Sequence, residues 1–310
     1  MTAPVPPPDG FETGHWTDAE GMTGCTVVLA PAGARAGVDV RGGGPGTRET
    51  DVIAPLAGTS DATAVLLTGG SAFGLAAADG VVSWLEERDR GHWTPAGLVP
   101  IVPAAVIYDL AEGDPKARPG PAEGRAACDA AEPGVPARGP VGAGTGAAVG
   151  KIRGRDHGVR AGIGYAAARS GRGETVAALV VVNAFGDVIT EEGTPLAGPR
   201  MEDGSAGRTA RILGSMEAPP DWTSLADRNT TLVCLMTDAP LAKVECTRIA
   251  RMASGGVARA VDPVFSDVDG DVVFCLASGE GTADRFTMLS IGTIAATVTA
   301  AAIRDAVGDH

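Results

Sequence analysis

Apolar runs and apolar positions spaced three to four apart alternate along the chain. Residues 26–30 and 38–41 are short apolar runs parted by Pro31-Ala32-Gly33, which predicts a hairpin. Residues 64–67 predict a strand. The following Leu75, Ala78, Val82 and Leu85 lie at helical spacing, with Ser71 placed to cap that helix. Residues 99–102 and 104–107 flank Pro103 as two further short runs, and 122–131 predict a short helix. Residues 176–182 make a strong strand ending at Asn183, and 231–236 are apolar or β-branched throughout, as in a strand buried on both faces. Leu241, Val244, Ile249 and Met252 mark a helix, 272–277 a strand, and 283–306 a helix of small residues packed against a sheet. Between about 191 and 228 the pattern lapses into a loop rich in Gly, Pro and charge. A structureless loop of that length is uncommon inside a compact domain. With no fixed-period repeat and no break in composition, the alternation predicts one α/β domain of stacked layers over residues 1–310.

Composition narrows how those layers pack. Hydrophobic residues make up 44% of the chain and aromatics only 4%, so the core is built from Ala, Val, Leu and Ile close around many of the 45 glycines. A net charge of −13 argues against nucleic acid as a partner. Residues 1–8 lack the basic and apolar regions of a signal peptide and read as a short extended arm. No uncharged apolar run reaches the length that spans a bilayer, so no membrane partner is expected. Cys25, Cys128, Cys234, Cys246 and Cys275 are odd in number and set mostly in apolar runs. They read as buried thiols of a cytoplasmic protein, with neither disulfide nor metal site.

Candidate chemistry lies at the junctions between runs. Gly69-Gly70-Ser71 fails the G-x-S-x-G pattern because Phe73 stands where its last Gly belongs. The run from Gly142 to Lys151 mimics dinucleotide and phosphate loops, but no strand precedes it and Ile152 follows Lys151 where Ser or Thr is needed. Lys151 is then either a residue held near a narrow site or a solvated surface lysine. Asp267-Val268-Asp269-Gly270-Asp271 lacks the Gly and Glu of a calcium loop and reads as a tight turn into a strand. No cofactor or metal is expected. Thr230 stands where the long loop meets the strand 231–236, the place for an N-terminal nucleophile. Attack of its hydroxyl on the Asn229 carbonyl would free a new chain start whose α-amine serves as base. Thr230-Thr231 also fits ordinary strand chemistry, and Asn229-Thr230-Thr231 is formally a glycosylation sequon, which requires secretion.

Taken in order, Gly14-His15-Trp16-Thr17-Asp18, Asp39-Val40-Arg41-Gly42-Gly43, Leu67-Thr68-Gly69-Gly70-Ser71, Ile107-Tyr108-Asp109, Gly142-Ala143-Gly144-Thr145-Gly146, Val182-Asn183, Asn229-Thr230-Thr231, Thr237-Asp238-Ala239 and Asp269-Gly270-Asp271 run almost end to end. The set resembles the self-processing N-terminal-nucleophile peptidases, the L-aminopeptidase/D-esterases and β-peptidyl aminopeptidases, a family that also holds the nylon-oligomer hydrolase. The resemblance implies a four-layer αββα sandwich of the ornithine-acetyltransferase/aminopeptidase type. It also implies cleavage between Asn229 and Thr230, leaving residues 1–229 and 230–310, and assembly as a homo-oligomer, expected to be a tetramer. By the same resemblance Thr230 is the nucleophile and Asn183 the amide donor to the oxyanion. Lys151 stands beside the nucleophile, Asp269 and Asp271 hold and tune the freed amine, and Tyr108 is an active-site tyrosine. The implied activity is hydrolysis of amide or ester bonds in small peptides or amino-acid amides. Acyl transfer of the ornithine-acetyltransferase kind and endo-cleavage of nylon oligomers are the alternatives.

Overall fold

The computed structural model describes residues 4–218 and 229–308. Two five-stranded mixed sheets form its centre. One is ordered Glu12–Asp18, Thr23–Leu29, Ala64–Thr68, Ala104–Val106, Thr47–Arg48. The other is ordered Ile163–Arg169, Thr175–Asn183, Thr230–Thr237, Val272–Ala277, Arg35–Val40.

Strand side chains alternate between faces, and here both faces of each sheet are apolar. Val28, Val65, Leu67 and Ala105 of the first sheet meet Leu179, Val181, Leu232 and Phe274 of the second in a core between the sheets. The alternate residues Val180, Val182, Val233 and Leu235 face the helices Lys243–Ala258 and Arg285–Asp305, which supply Ile249, Ala253, Ile291 and Ala295. On the far side, Val27, Leu29 and Leu66 pack on the helices Ala77–Glu86 and Pro121–Asp129. The order is helix, sheet, sheet, helix. It explains why so many strands read as unbroken apolar runs.

Glycine sets how closely the layers approach. A Cβ on Gly37 would lie 2.3 Å from Thr247 N in the covering helix, and one on Gly164 would lie 1.9 Å from Ala302 O. Small residues thus stand in for the missing aromatics by letting backbone rest on backbone.

Several expectations need correction. The runs about Pro31-Ala32-Gly33 are not a hairpin. Thr23–Leu29 pairs with Glu12–Asp18 and Ala64–Thr68, while Arg35–Val40 pairs with Val272–Ala277 in the other sheet. Both runs are buried on two faces, so their pattern carries no information about which strand each pairs with. Ser71 does not cap its helix: Gly70 occupies that position, and Ser71 opens the short helix Ser71–Gly74 with φ 53. Of the loop 191–228, Pro195–Ala197 is a strand and Thr209–Gly214 a helix. Its anchor is the buried Asp187 carboxylate, which accepts from Thr209 N (2.7 Å) and Thr209 Oγ1 (2.5 Å). Residues 219–228 of that loop lie outside the described residues.

Arg285–Asp305 is, by length and composition, long and apolar enough to cross a membrane, which the sequence reading did not expect. Its inner face is a wall of the core. All five cysteines are buried free thiols, and the N-terminal arm is tied down where Tyr165 Oη donates to Val5 O (2.9 Å).

Candidate active site

Strands Thr175–Asn183 and Thr230–Thr237 pair antiparallel with Asn183 directly opposite Thr230. The last residue of one strand and the first of the next thus share one end of the second sheet. Thr230 is the first residue of its strand and is 5% exposed. It lines a cleft of about 350 Å³ with Gly44, Pro45, Ser71, Tyr108 and Asp267.

Residues just before the strand are held by the turn 267–271. Asn229 forms a parallel bridge with Asp269: its N–H donates to Val268 O (3.0 Å), and its carbonyl oxygen accepts from Gly270 N (2.7 Å). Thr230 Oγ1 donates to the same carbonyl oxygen at 2.5 Å. The carbonyl preceding Thr230 therefore receives a backbone N–H and the Thr230 hydroxyl together. Gly270 is needed for this approach, since a Cβ there would lie 2.8 Å from Thr230 Oγ1 and 2.9 Å from Gly44 O. Gly270→Ala is expected to lower stability by roughly 1–3 kcal/mol, the usual cost of overpacking. It should also displace the Thr230 hydroxyl. Denaturant midpoints, and a structure of the variant, would show the two effects.

Two of the three carboxylates of the turn, those of Asp269 and Asp271, are buried. Asp269 accepts from Phe185 N (3.3 Å), Ser266 N (3.2 Å) and Ser266 Oγ. Asp271 accepts from Thr231 N (2.5 Å) and Phe265 N (3.2 Å). Burial raises both carboxyls above the ordinary range, and Asp271 is pushed further, to about 7, by the charge of Asp269.

Lys151 is not a surface lysine. It is 2% exposed, and its Nζ donates to Asn183 Oδ1 (2.8 Å) and Asn183 O (3.2 Å). Burial brings it down to about 7, against the weaker upward pull of Glu112 and Asp269. Asn183 Oδ1 also accepts from Ala148 N (3.2 Å), and a backbone N–H can only donate, so the oxygen end of the Asn183 amide is fixed toward Ala148 and Lys151. Asn183 Nδ2 then turns outward and gives one hydrogen to Tyr108 O (3.2 Å), leaving its second N–H for another acceptor. The amide orientation therefore follows from the Ala148 N–H, with Lys151 on the same oxygen.

This lysine also sets a pH dependence of stability. Its folded value of about 7 lies below the 10.5 of an exposed lysine. Between the two, the unfolded chain holds a proton that the folded chain has released, so stability rises with pH across that window. Compared in a Thr230→Ala background, the Lys151 protein should gain on Lys151→Met as pH is raised from 7 to 10. A constant difference in denaturant midpoint over that range would contradict the shift.

The fold thus brings Thr230, Asn229, Asn183, Lys151, Asp269 and Asp271 to one end of a sheet, with Tyr108 on the cleft wall. Two participants escaped the sequence reading. One is the Gly270 N–H, which no residue-type pattern can flag. The other is Asp267, which read only as part of a turn. Among the described residues no group of three or more His, Cys, Asp or Glu is arranged to hold a metal ion.

The model of peptidase family S58 matches residues 9–308. An uncharacterized aminopeptidase of Mycobacterium leprae is 41% identical over 288 residues, covering 87% of this chain and 77% of that protein. The 6-aminohexanoate-oligomer endohydrolase of Paenarthrobacter ureafaciens is 34% identical over 267 residues, covering 84% of this chain and 71% of that protein. Among solved structures, a β-aminopeptidase of a Burkholderia species aligns with TM-score 0.72 at 22% identity, over 99% of this chain and 88% of its own. The L-aminopeptidase D-Ala-esterase/amidase of Ochrobactrum anthropi, a variant of the N-terminal-nucleophile hydrolase fold, aligns equally well, at TM-score 0.72 and 21% identity, with the same coverage of both chains. A strand-end threonine beside a lysine-held amide, on that fold, is thus found in a chain that matches one family model over nearly its whole length: the protein belongs to peptidase family S58 and is a peptide-bond hydrolase.

Proposed function

We propose that the chain cuts itself between Asn229 and Thr230 and then acts as an aminopeptidase on small peptides or amino-acid amides, with Thr230 as its N-terminal nucleophile. The observation that carries this reading is the Thr230 hydroxyl lying on the Asn229 carbonyl oxygen, with the Gly270 N–H on that same oxygen. Negative charge developing on the oxygen during attack meets a preformed donor. The Oγ–C bond forms, the C–N bond breaks, and the nitrogen takes up the hydroxyl proton to become an amine. Water then hydrolyses the ester, leaving a carboxylate on Asn229 and restoring the hydroxyl.

In turnover, the freed α-amine takes the hydroxyl proton as Oγ attacks the substrate carbonyl. The second Nδ2–H of Asn183 serves the oxyanion. The amine leaves with the proton, and water releases the acyl group. The α-amine must be neutral to begin. Lys151 and burial favour its neutral form, while Asp269 and Asp271 favour the charged form to the extent that they are ionised. Their raised values weaken the opposing pull near neutral pH.

The test is the intact mass of freshly purified protein together with release of p-nitroaniline from amino-acid p-nitroanilides. Two chains beginning at Met1 and Thr230, with turnover, are expected. A single chain that persists through long incubation at neutral pH would sink the reading. A second reading, endo-cleavage of 6-aminohexanoate oligomers, is favoured by the 34% identical relatives of that name. It predicts cleavage of internal amides irrespective of a free amine.

A further inference from the structure

We propose that Asp267 is the specificity residue of this cleft, the side chain that binds the free ammonium group of the substrate. This rests on the reading of the cleft as the place of amide hydrolysis and adds what the cleft selects.

Three carboxylates stand on one turn at alternate positions. Asp269 and Asp271 are buried and receive donors from the protein, as described above. Asp267 is exposed, and among the described residues its carboxylate has neither a hydrogen bond nor an ion pair. Among the described residues it is the one charged side chain lining the cleft, where Thr230 also lies. The rest of that lining is Gly, Pro, Ala and Val with the hydroxyls of Ser71, Tyr108 and Thr230.

Among the described residues this wall holds no cation to pair with a carboxylate or phosphate, whereas one uncompensated negative charge complements an ammonium ion. The carboxylate is also well positioned. Gly43 presses on its backbone, so that a Cβ there would lie 2.7 Å from Asp267 Cα, and Gly43 N donates to Ser266 O (3.1 Å). Gly44 N donates to Asp269 O (2.9 Å). The glycine-rich run 42–46 thus serves as a clamp on the turn and as the opposite wall of the cleft. Asp267 and Thr230 line the same cleft of about 350 Å³, so an ammonium on Asp267 and an amide at Thr230 belong to one short amino-acyl group.

The decisive measurements are made on wild type and Asp267→Asn, each allowed to finish self-cleavage. In wild type, alanine p-nitroanilide should be preferred over its N-acetyl derivative in kcat/KM. In Asp267→Asn that preference should fall by roughly tenfold to a hundredfold, the range expected for a lost hydrogen bond to a charged group. The loss should appear mainly in KM, and Asp267→Glu should restore part of it. Binding of L-alaninol, an amine with no scissile bond, is followed by calorimetry in parallel and decides the matter without turnover. It should bind wild type, bind Asp267→Asn more weakly, and lose its binding when N-acetylated. Equal alaninol affinity in the two proteins, or an undiminished preference for the free amine, overturns the proposal. Failure of the chain to divide would count instead against Thr230 as nucleophile and leaves the alaninol result valid.

Discussion

Thr230→Ala should remain one chain of 310 residues, where the Thr230 protein, on the proposed self-cleavage, should separate under denaturing conditions into residues 1–229 and 230–310. The substitution removes only a hydroxyl and a methyl at a strand end. The Asn229 carbonyl keeps its bond from Gly270 N and the strand keeps its register with Asn183, so the fold should persist. What disappears is the oxygen that attacks. Removing a nucleophile typically costs several orders of magnitude in rate, and here the loss counts twice: without division no α-amine is freed, and without Oγ no acyl-enzyme forms. Thr230→Ser is the informative companion. It keeps an oxygen at the same place and should still divide and turn over, only more slowly where the methyl fixes the rotamer. Mass spectrometry of both variants over days, with p-nitroanilide assays alongside, checks the expectation. Division of Thr230→Ala would mean that another group, or a contaminating protease, does the cutting.

The second large effect is expected at Asn183. Loss of one oxyanion donor costs roughly 10²–10³ in kcat, and Asn183→Ala, measured on material that has finished dividing, should fall in that range with little change in KM. The side chain also accepts from Lys151 Nζ and Ala148 N, so truncation alone does not separate donation from support of the lysine. Asn183→Asp does. An aspartate still accepts from Lys151 but offers no N–H to the oxyanion. If donation is the role, Asn183→Asp should be as slow as Asn183→Ala. If it recovers most of the rate, Asn183 acts by holding Lys151, and the oxyanion must be stabilised elsewhere. The added charge would also raise Lys151 from its value of about 7, visible as a shift in the pH profile.

Both effects depend on a juxtaposition that no local pattern announces. Asn183 and Thr230 are 47 positions apart, and the pairing of their strands alone makes them neighbours. The residue-by-residue resemblance named them, together with Lys151, Tyr108, Asp269 and Asp271. It could not say that Lys151 reaches Asn183, that Tyr108 serves it through a backbone carbonyl as well as lining the cleft, or that Asp267 faces outward while its neighbours face in.

The chain's own pattern determined most elements. Runs such as 176–182 and 231–236 admit nothing but a strand buried on both faces, and the spacing in 122–131 and 283–306 returned as the helices Pro121–Asp129 and Arg285–Asp305. Composition likewise determined a core of small residues packed against glycine. Tertiary structure decided the rest. It sent Thr23–Leu29 and Arg35–Val40 to different sheets, buried Lys151, and replaced Ser71 with Gly70 at a helix start. The physical reason is common to all three. Burial and period are properties of a segment and are written in its residues, whereas pairing, desolvation of a charge and the direction a carboxylate faces are properties of what lies opposite, which only the folded chain supplies.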